Sequence, residues 1–110
     1  MADGVLVHNK CDIDKEKVKE DSENHIFSDK HVKGGIMDLG TDKDSIMDEG
    51  LKIIENVDSK YNLGDGPLQI RTHINNFKAE IRIFIKNGKL INFNMFKGWS
   101  VEIKKNSIEW

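Results

Sequence analysis

Apolar and polar positions follow three different rhythms along this chain, and the changes between them divide it. Residues 12–24 are mostly Asp, Glu and Lys, with only Ile13 and Val18 apolar. So few apolar groups bury little surface, which predicts a frayed helix or a linker. Ser28 can cap a short helix with Asp29 in its first turn, and Gly34-Gly35 ends it. From Thr41, the expected N-cap, the period becomes helical. Ile46, Met47, Gly50, Ile53, Ile54 and Val57 recur on one face, predicting the main amphipathic helix over about residues 42 to 60. Asn62, Gly64, Asp65, Gly66 and Pro67 then break the chain.

From Leu68 the period is two. Residues 68–74 read as a strand, Asn75-Asn76 as a turn, and Phe77 to Lys86 as the strongest strand, with Phe77, Ala79, Ile81, Ile83 and Ile85 on one face. Asn87-Gly88 is a hairpin turn, Lys89 to Phe96 a third strand, and Trp99 to Ile103 a fourth after a turn at Lys97-Gly98. The expected architecture is α+β: N-terminal helices packed on a four-stranded antiparallel sheet. If Ile70, Thr72 and Ile74 face the helix, then Gln69, Arg71 and His73 point away from it and share the outer face with Lys78, Glu80 and Arg82.

Composition narrows the class. The chain has 110 residues, 37% hydrophobic and 33% charged, which suits one domain with a modest core. No apolar run is long enough to span a bilayer, and no signal peptide is expected at the start. Cys11 is the only cysteine, which excludes an intrachain disulfide and a cysteine-based zinc cage. The net charge of −2 is unevenly spread. From Leu68 onward eight basic residues stand against three acidic ones, a net of +5, whereas the first 67 residues carry nine basic and sixteen acidic groups, a net of −7. That asymmetry points to an anionic ligand on the second half.

The densest chemistry lies in residues 25–35, which hold His25, His31, Lys30, Lys33 and Gly34-Gly35. Two imidazoles can remove a proton from a nucleophile and give one to a leaving group near neutral pH. The lysines can hold a phosphate, and the glycines allow close backbone approach. The plainer alternative is a capped helical turn with surface histidines. The outer sheet face adds Arg71, His73, Lys78 and Arg82, cations suited to a phosphodiester; cross-strand charge pairing on a wet face is the alternative there.

Two resemblances accompany these residues. Gly4-Val5-Leu6-Val7-His8-Asn9 resembles the junction that ends the pretoxin region of large bacterial polymorphic toxins of the Rhs, WapA-like and contact-dependent-inhibition types. The order of small helices followed by four strands resembles the barnase–EndoU–colicin–RelE superfamily of metal-independent RNases. Within it, His25-Ile26-Phe27, His31 and Gly34-Gly35 are similar to the bacterial EndoU pattern, although the position of a further His after the glycines holds Ile36.

These resemblances imply a junction and charged linker over residues 1–24 and a nuclease toxin domain over 25–110. The domain is expected to be secreted within a larger toxin and to act in the cytoplasm of a target cell. His25 and His31 would share the acid and base roles. Arg71, Lys33 or Arg82 would neutralise the phosphorane. Ser100, with Thr72 as second choice, would sit by the scissile phosphate, and His73, Lys78 and Trp99 would bind substrate. The substrate would be RNA, with tRNA among the candidates, and neither a metal nor a small-molecule cofactor is expected. An acidic immunity protein is the expected partner. The competing readings are a binding module that cleaves nothing and a metal-dependent DNase using the four histidines. The second lacks the tight His/Asp/Glu spacing of such sites.

Overall fold

The computed structural model describes residues 12–110, so the junction residues 4–9 and His8 lie outside the described residues. Its elements are α1 (Lys15–Ile26), α2 (Asp29–Lys33), a 3-10 turn (Ile36–Leu39), α3 (Lys43–Tyr61), β1 (Gly66–Ile74), β2 (Phe77–Lys86), β3 (Lys89–Lys97) and β4 (Ser107–Glu109).

The charged segment forms a regular helix, against the expectation of a frayed helix or a linker. Asp14 caps α1 by accepting from the Lys17 amide at 3.3 Å. Its inward stripe is Val18, Ser22 and Ile26, spaced by four and all buried. The Ser22 hydroxyl accepts from the Phe93 amide at 3.2 Å, so α1 ties down a backbone donor of the edge strand β3. A stripe with one hydroxyl and two apolar groups is too thin to show as hydrophobic periodicity.

Helix α3 supplies the main core face. Asp42 caps it, accepting from the Ser45 amide at 2.7 Å, one residue later than the expected Thr41. Ile46, Met47, Leu51, Ile54 and Val57 are buried against Ile70, Ile81, Phe93 and Met95. Gly50 lets the helix close on the sheet, because a Cβ there would sit 2.7 Å from the Met95 sulfur.

The first three strands form a meander. Both hairpin turns carry positive φ at their two central residues, 53° and 69° at Asn75-Asn76 and 54° and 75° at Asn87-Gly88, the twist that joins antiparallel strands. The fourth strand departs from expectation. The order is β3-β2-β1-β4, and β4 runs parallel to β1 with Gln69 opposite Ser107 and Arg71 opposite Glu109. The sheet is therefore mixed rather than purely antiparallel, and residues 99–103 are no strand.

After β3, Gly98 turns with a φ of 88°. The chain then crosses the outer sheet face as a strap, residues 98–106, to reach the free edge of β1. Between its ends, side chains of the sheet, not another strand, take up its peptide groups. Glu80 accepts from the Ser100 amide at 3.0 Å, Gln69 donates to the Glu102 carbonyl at 3.1 Å, and the Gln69 side-chain oxygen accepts from the Lys104 amide at 3.0 Å. Alternation alone cannot separate such a strap from a strand, since only the partner of each peptide group differs.

Candidate functional site

Strand register places the outer-face residues. Gln69 lies opposite Arg82, Arg71 opposite Glu80, and His73 opposite Lys78. The two arginines therefore flank one carboxylate, and α2 brings His31 to the side of this face along β3. The His31 ring meets the Phe96 ring at 4.6 Å between centroids, and the Arg82 guanidinium lies 4.9 Å from the same ring.

A cavity of about 390 Å³ opens there, lined by Lys30, His31, Gly34, Arg82, Phe96, Lys97 and Ser100. It gathers three cationic side chains, one imidazole and one hydroxyl. The His31 Nδ1 lies 2.9 Å from the Ile26 carbonyl. A carbonyl only accepts, so Nδ1 carries the proton and, in the neutral ring, Nε2 is left with a free lone pair. Lys97 is anchored by Asp38 at 2.6 Å. Gly35 makes room for that pair: it has a φ of 95°, and a Cβ there would meet the Lys97 side chain at 2.9 Å.

Glu80 organises the floor beside the cavity. It is 1% exposed, accepts from Arg82 Nε at 2.6 Å and from the Ser100 amide and hydroxyl at 3.0 Å each, and lies 3.8 Å from Arg71 Nε. Burial alone would raise its pKa. Hydrogen bonds from the Ser100 amide, Arg82, Gln69 and the Ser100 hydroxyl outweigh burial and hold the carboxyl below its ordinary value.

The expected site residues fall into groups. His31, Arg82 and Ser100 line the cavity; His25 does not. It lies exposed on the last turn of α1, lining a separate depression with Asp21, Ser22, Ile91, Asn92, Phe93 and Asn94. Lys33 is exposed on α2 and lines neither. Ser100 is held within the protein: its single proton is directed at Glu80 or the Glu102 carbonyl, and its oxygen faces donors on Arg82 and Gln69. Arg71 grips the strap carbonyls of Ser100 and Glu102, so it acts first as an anchor.

Thr72 is buried, and its carbonyl accepts from the Trp99 indole at 3.1 Å. The Trp99 ring gathers His73 at 5.5 Å, Lys78 at 4.8 Å and Arg71 at 5.6 Å in a second cation–aromatic cluster. Ile36, where the EndoU pattern carries a histidine, is fully buried in the core. Lys30, from the histidine segment, completes the cavity with Lys97 and Phe96. Alternation marks neither Lys97 nor Lys30 as belonging to it, because one ends β3 and the other stands on a different element. No group of three or more His, Cys, Asp or Glu able to hold a metal is found among the described residues. No helix among them is long and apolar enough to cross a membrane.

The family described as Bacterial toxin 35 matches residues 18–100, which take in most of α1, the histidine segment, α3, the first three strands and the start of the strap. The chain belongs to the Bacterial toxin 35 family. The match takes in His25, His31, Glu80, Arg82 and Ser100, so the cavity lies wholly within the part that defines this toxin domain. It also begins at Val18, inside the segment read as linker. No curated protein and no solved structure matches the chain.

Proposed function

We propose that this toxin domain is a metal-independent endoribonuclease. The observation that carries the reading is His31, which lines a cavity with Lys30, Arg82 and Lys97 while its Nδ1 is tied to the Ile26 carbonyl, leaving Nε2 as the nitrogen that can take a proton. A phosphodiester brings the two things such a cavity suits, an anion and a proton to be moved. The RNA 2′-OH attacks the adjacent phosphorus and its proton passes to His31 Nε2. The new O2′–P bond forms as the P–O5′ bond breaks, and the 5′-oxygen takes a proton from solvent. The products are a 2′,3′-cyclic phosphate and a 5′-OH end. Arg82, Lys30 and Lys97 balance the charge that builds on the phosphorane, the kind of electrostatic aid that is often the largest in catalysis. Trp99, His73 and Lys78 extend the binding surface beyond the cavity.

The helices-then-sheet order and the histidine segment support an affinity with the barnase–EndoU–colicin–RelE superfamily. On this reading the domain belongs to a larger secreted toxin, and an acidic immunity protein guards the producing cell. Incubation of the purified chain with tRNA, rRNA and DNA in EDTA is the test. RNA cut to 2′,3′-cyclic phosphate ends is expected. Cleavage that is lost in EDTA, or confined to DNA, overturns the proposal.

A further inference from the structure

Glu80 is a buried carboxylate at the centre of the outer sheet face with no role in the proton transfer above. Its surroundings are specific. One oxygen takes the Ser100 amide and hydroxyl, and the other takes Arg82 Nε at 2.6 Å. Arg82 also gives one Nη2 proton to the Ser100 hydroxyl at 3.3 Å. A guanidinium carries five N–H donors, so three remain for the cavity. Phe96 supports the flat face of the same group at 4.9 Å, on the ring that His31 also meets. Arg82 is thus fixed along its Nε–Nη2 edge and keeps both Nη1 protons and one Nη2 proton. With the Nε edge taken, the outer pair is the one left to present two parallel donors to a phosphate.

We infer that Glu80 is the positioning residue of this site: it clamps Arg82 and the Ser100 end of the strap so that the Arg82 fork faces the scissile phosphate beside His31. The inference rests on the nuclease reading for its substrate, but the geometry asks only for a phosphate. Removing the clamp leaves two arginines side by side without a counter-ion, and Arg82 is then free to swing towards solvent. The charge that would meet the phosphorane is still present, but it is no longer held in place. Order supplied beforehand is what such electrostatic catalysis depends on.

The test uses the full chain. In Glu80→Gln, kcat for RNA cleavage is expected to fall at least tenfold, and by more than KM rises. The loss should also be coupled to Arg82: adding Glu80→Gln to Arg82→Ala should cost less than threefold further. A merely structural Glu80 would give losses that multiply, and that outcome overturns the inference. Should Glu80→Gln not fold, Glu80→Asp keeps the charge and draws the carboxylate back from Arg82. A folded Glu80→Asp that is as active as wild type overturns the inference equally. Inorganic phosphate, followed by NMR at the Arg82 Nε–H and the His31 ring, separates the two proposals. If wild type binds phosphate at these groups and Glu80→Gln binds it at least fivefold more weakly, while neither cuts RNA, the nuclease reading fails and the clamp stands. If phosphate affinity and cleavage are alike in both proteins, the clamp fails and the nuclease reading stands.

Discussion

His31 and Phe96 meet ring against ring, 4.6 Å between centroids with their planes tilted by 57°. The contact joins a short helix to the outer face of β3 and, with the Nδ1 bond to the Ile26 carbonyl, fixes how the imidazole stands. His31→Ala should therefore lower RNA cleavage by about 10²- to 10⁴-fold, the usual worth of a positioned acid or base. His25→Ala should cost less than tenfold, since His25 lines a different depression. Equal losses measured by gel assay in the two variants would mean that the depression is part of the site.

Acid should weaken the fold through Glu80. Its carboxyl is held below its ordinary value in the folded protein. A group of this kind stabilises the native state above its unfolded pKa and loses that contribution as the pH falls through its native value. The melting temperature is thus expected to drop as the pH falls below about 4, the ordinary carboxylate range. Glu80→Gln should lose stability at neutral pH and show a shallower acid limb. A slope remains because Asp42 and Asp65, held low by the Ser45 amide and by the Gly88 amide, titrate in the same direction. Calorimetry from pH 7 down to 3 checks both expectations.

Ile54 on α3 and Ile81 on β2 are each 0% exposed at the helix–sheet contact. Ile54→Asp or Ile81→Asp buries an unpaired charge at a cost of several kcal/mol, about the whole stability of a small domain. Both variants should give unfolded circular dichroism spectra at 25 °C.

Gln69 is 1% exposed and holds the strap through Ser100, Glu102 and Lys104. Gln69→Ala removes these bonds, costing about 2 kcal/mol. Amide exchange at residues 102–106 should quicken while exchange in α3 keeps its relative order of protection. Uniform quickening throughout the chain would show that the strap is not a separable unit.

An immunity protein that covers the cavity would meet Lys30, Arg82 and Lys97, and an acidic surface suits them. Its association should slow steeply with salt, and its dissociation should change little. Lys30→Glu should weaken binding without disturbing the Glu80 clamp. Stopped-flow association at low and high salt reads the first expectation and calorimetry the second. A salt-independent association rate would argue for a partner docked away from the cavity.

Much of this was legible before any coordinates. The spacing of Ile46, Met47, Ile53, Ile54 and Val57 predicts α3, the alternation from Phe77 to Lys86 predicts β2, and Asn87-Gly88 predicts the hairpin between β2 and β3. These are local patterns, set by side-chain period and turn geometry. Arg82 and Glu80 share a face for the same reason, since residues two apart on a strand always do.

The rest depended on contacts between distant residues. Residues 99–103 alternate like a strand, yet Glu80, Gln69 and Arg71 took the bonding positions another strand would need. The three-residue β4 has too little sequence to announce itself, and its parallel course follows only once the strap has crossed the face. His25 and His31 are close in sequence, but a helix end and a turn send them to different depressions. The sequence by itself determined the helix, the three-stranded meander and the cationic outer face, because each is written in a repeat a few residues long. Only the tertiary structure decided that His31 faces Arg82, that Ser100 is a strap anchor and that Glu80 is buried between two arginines. Those facts depend on where a crossing segment lands, and that is set by the whole core beneath it.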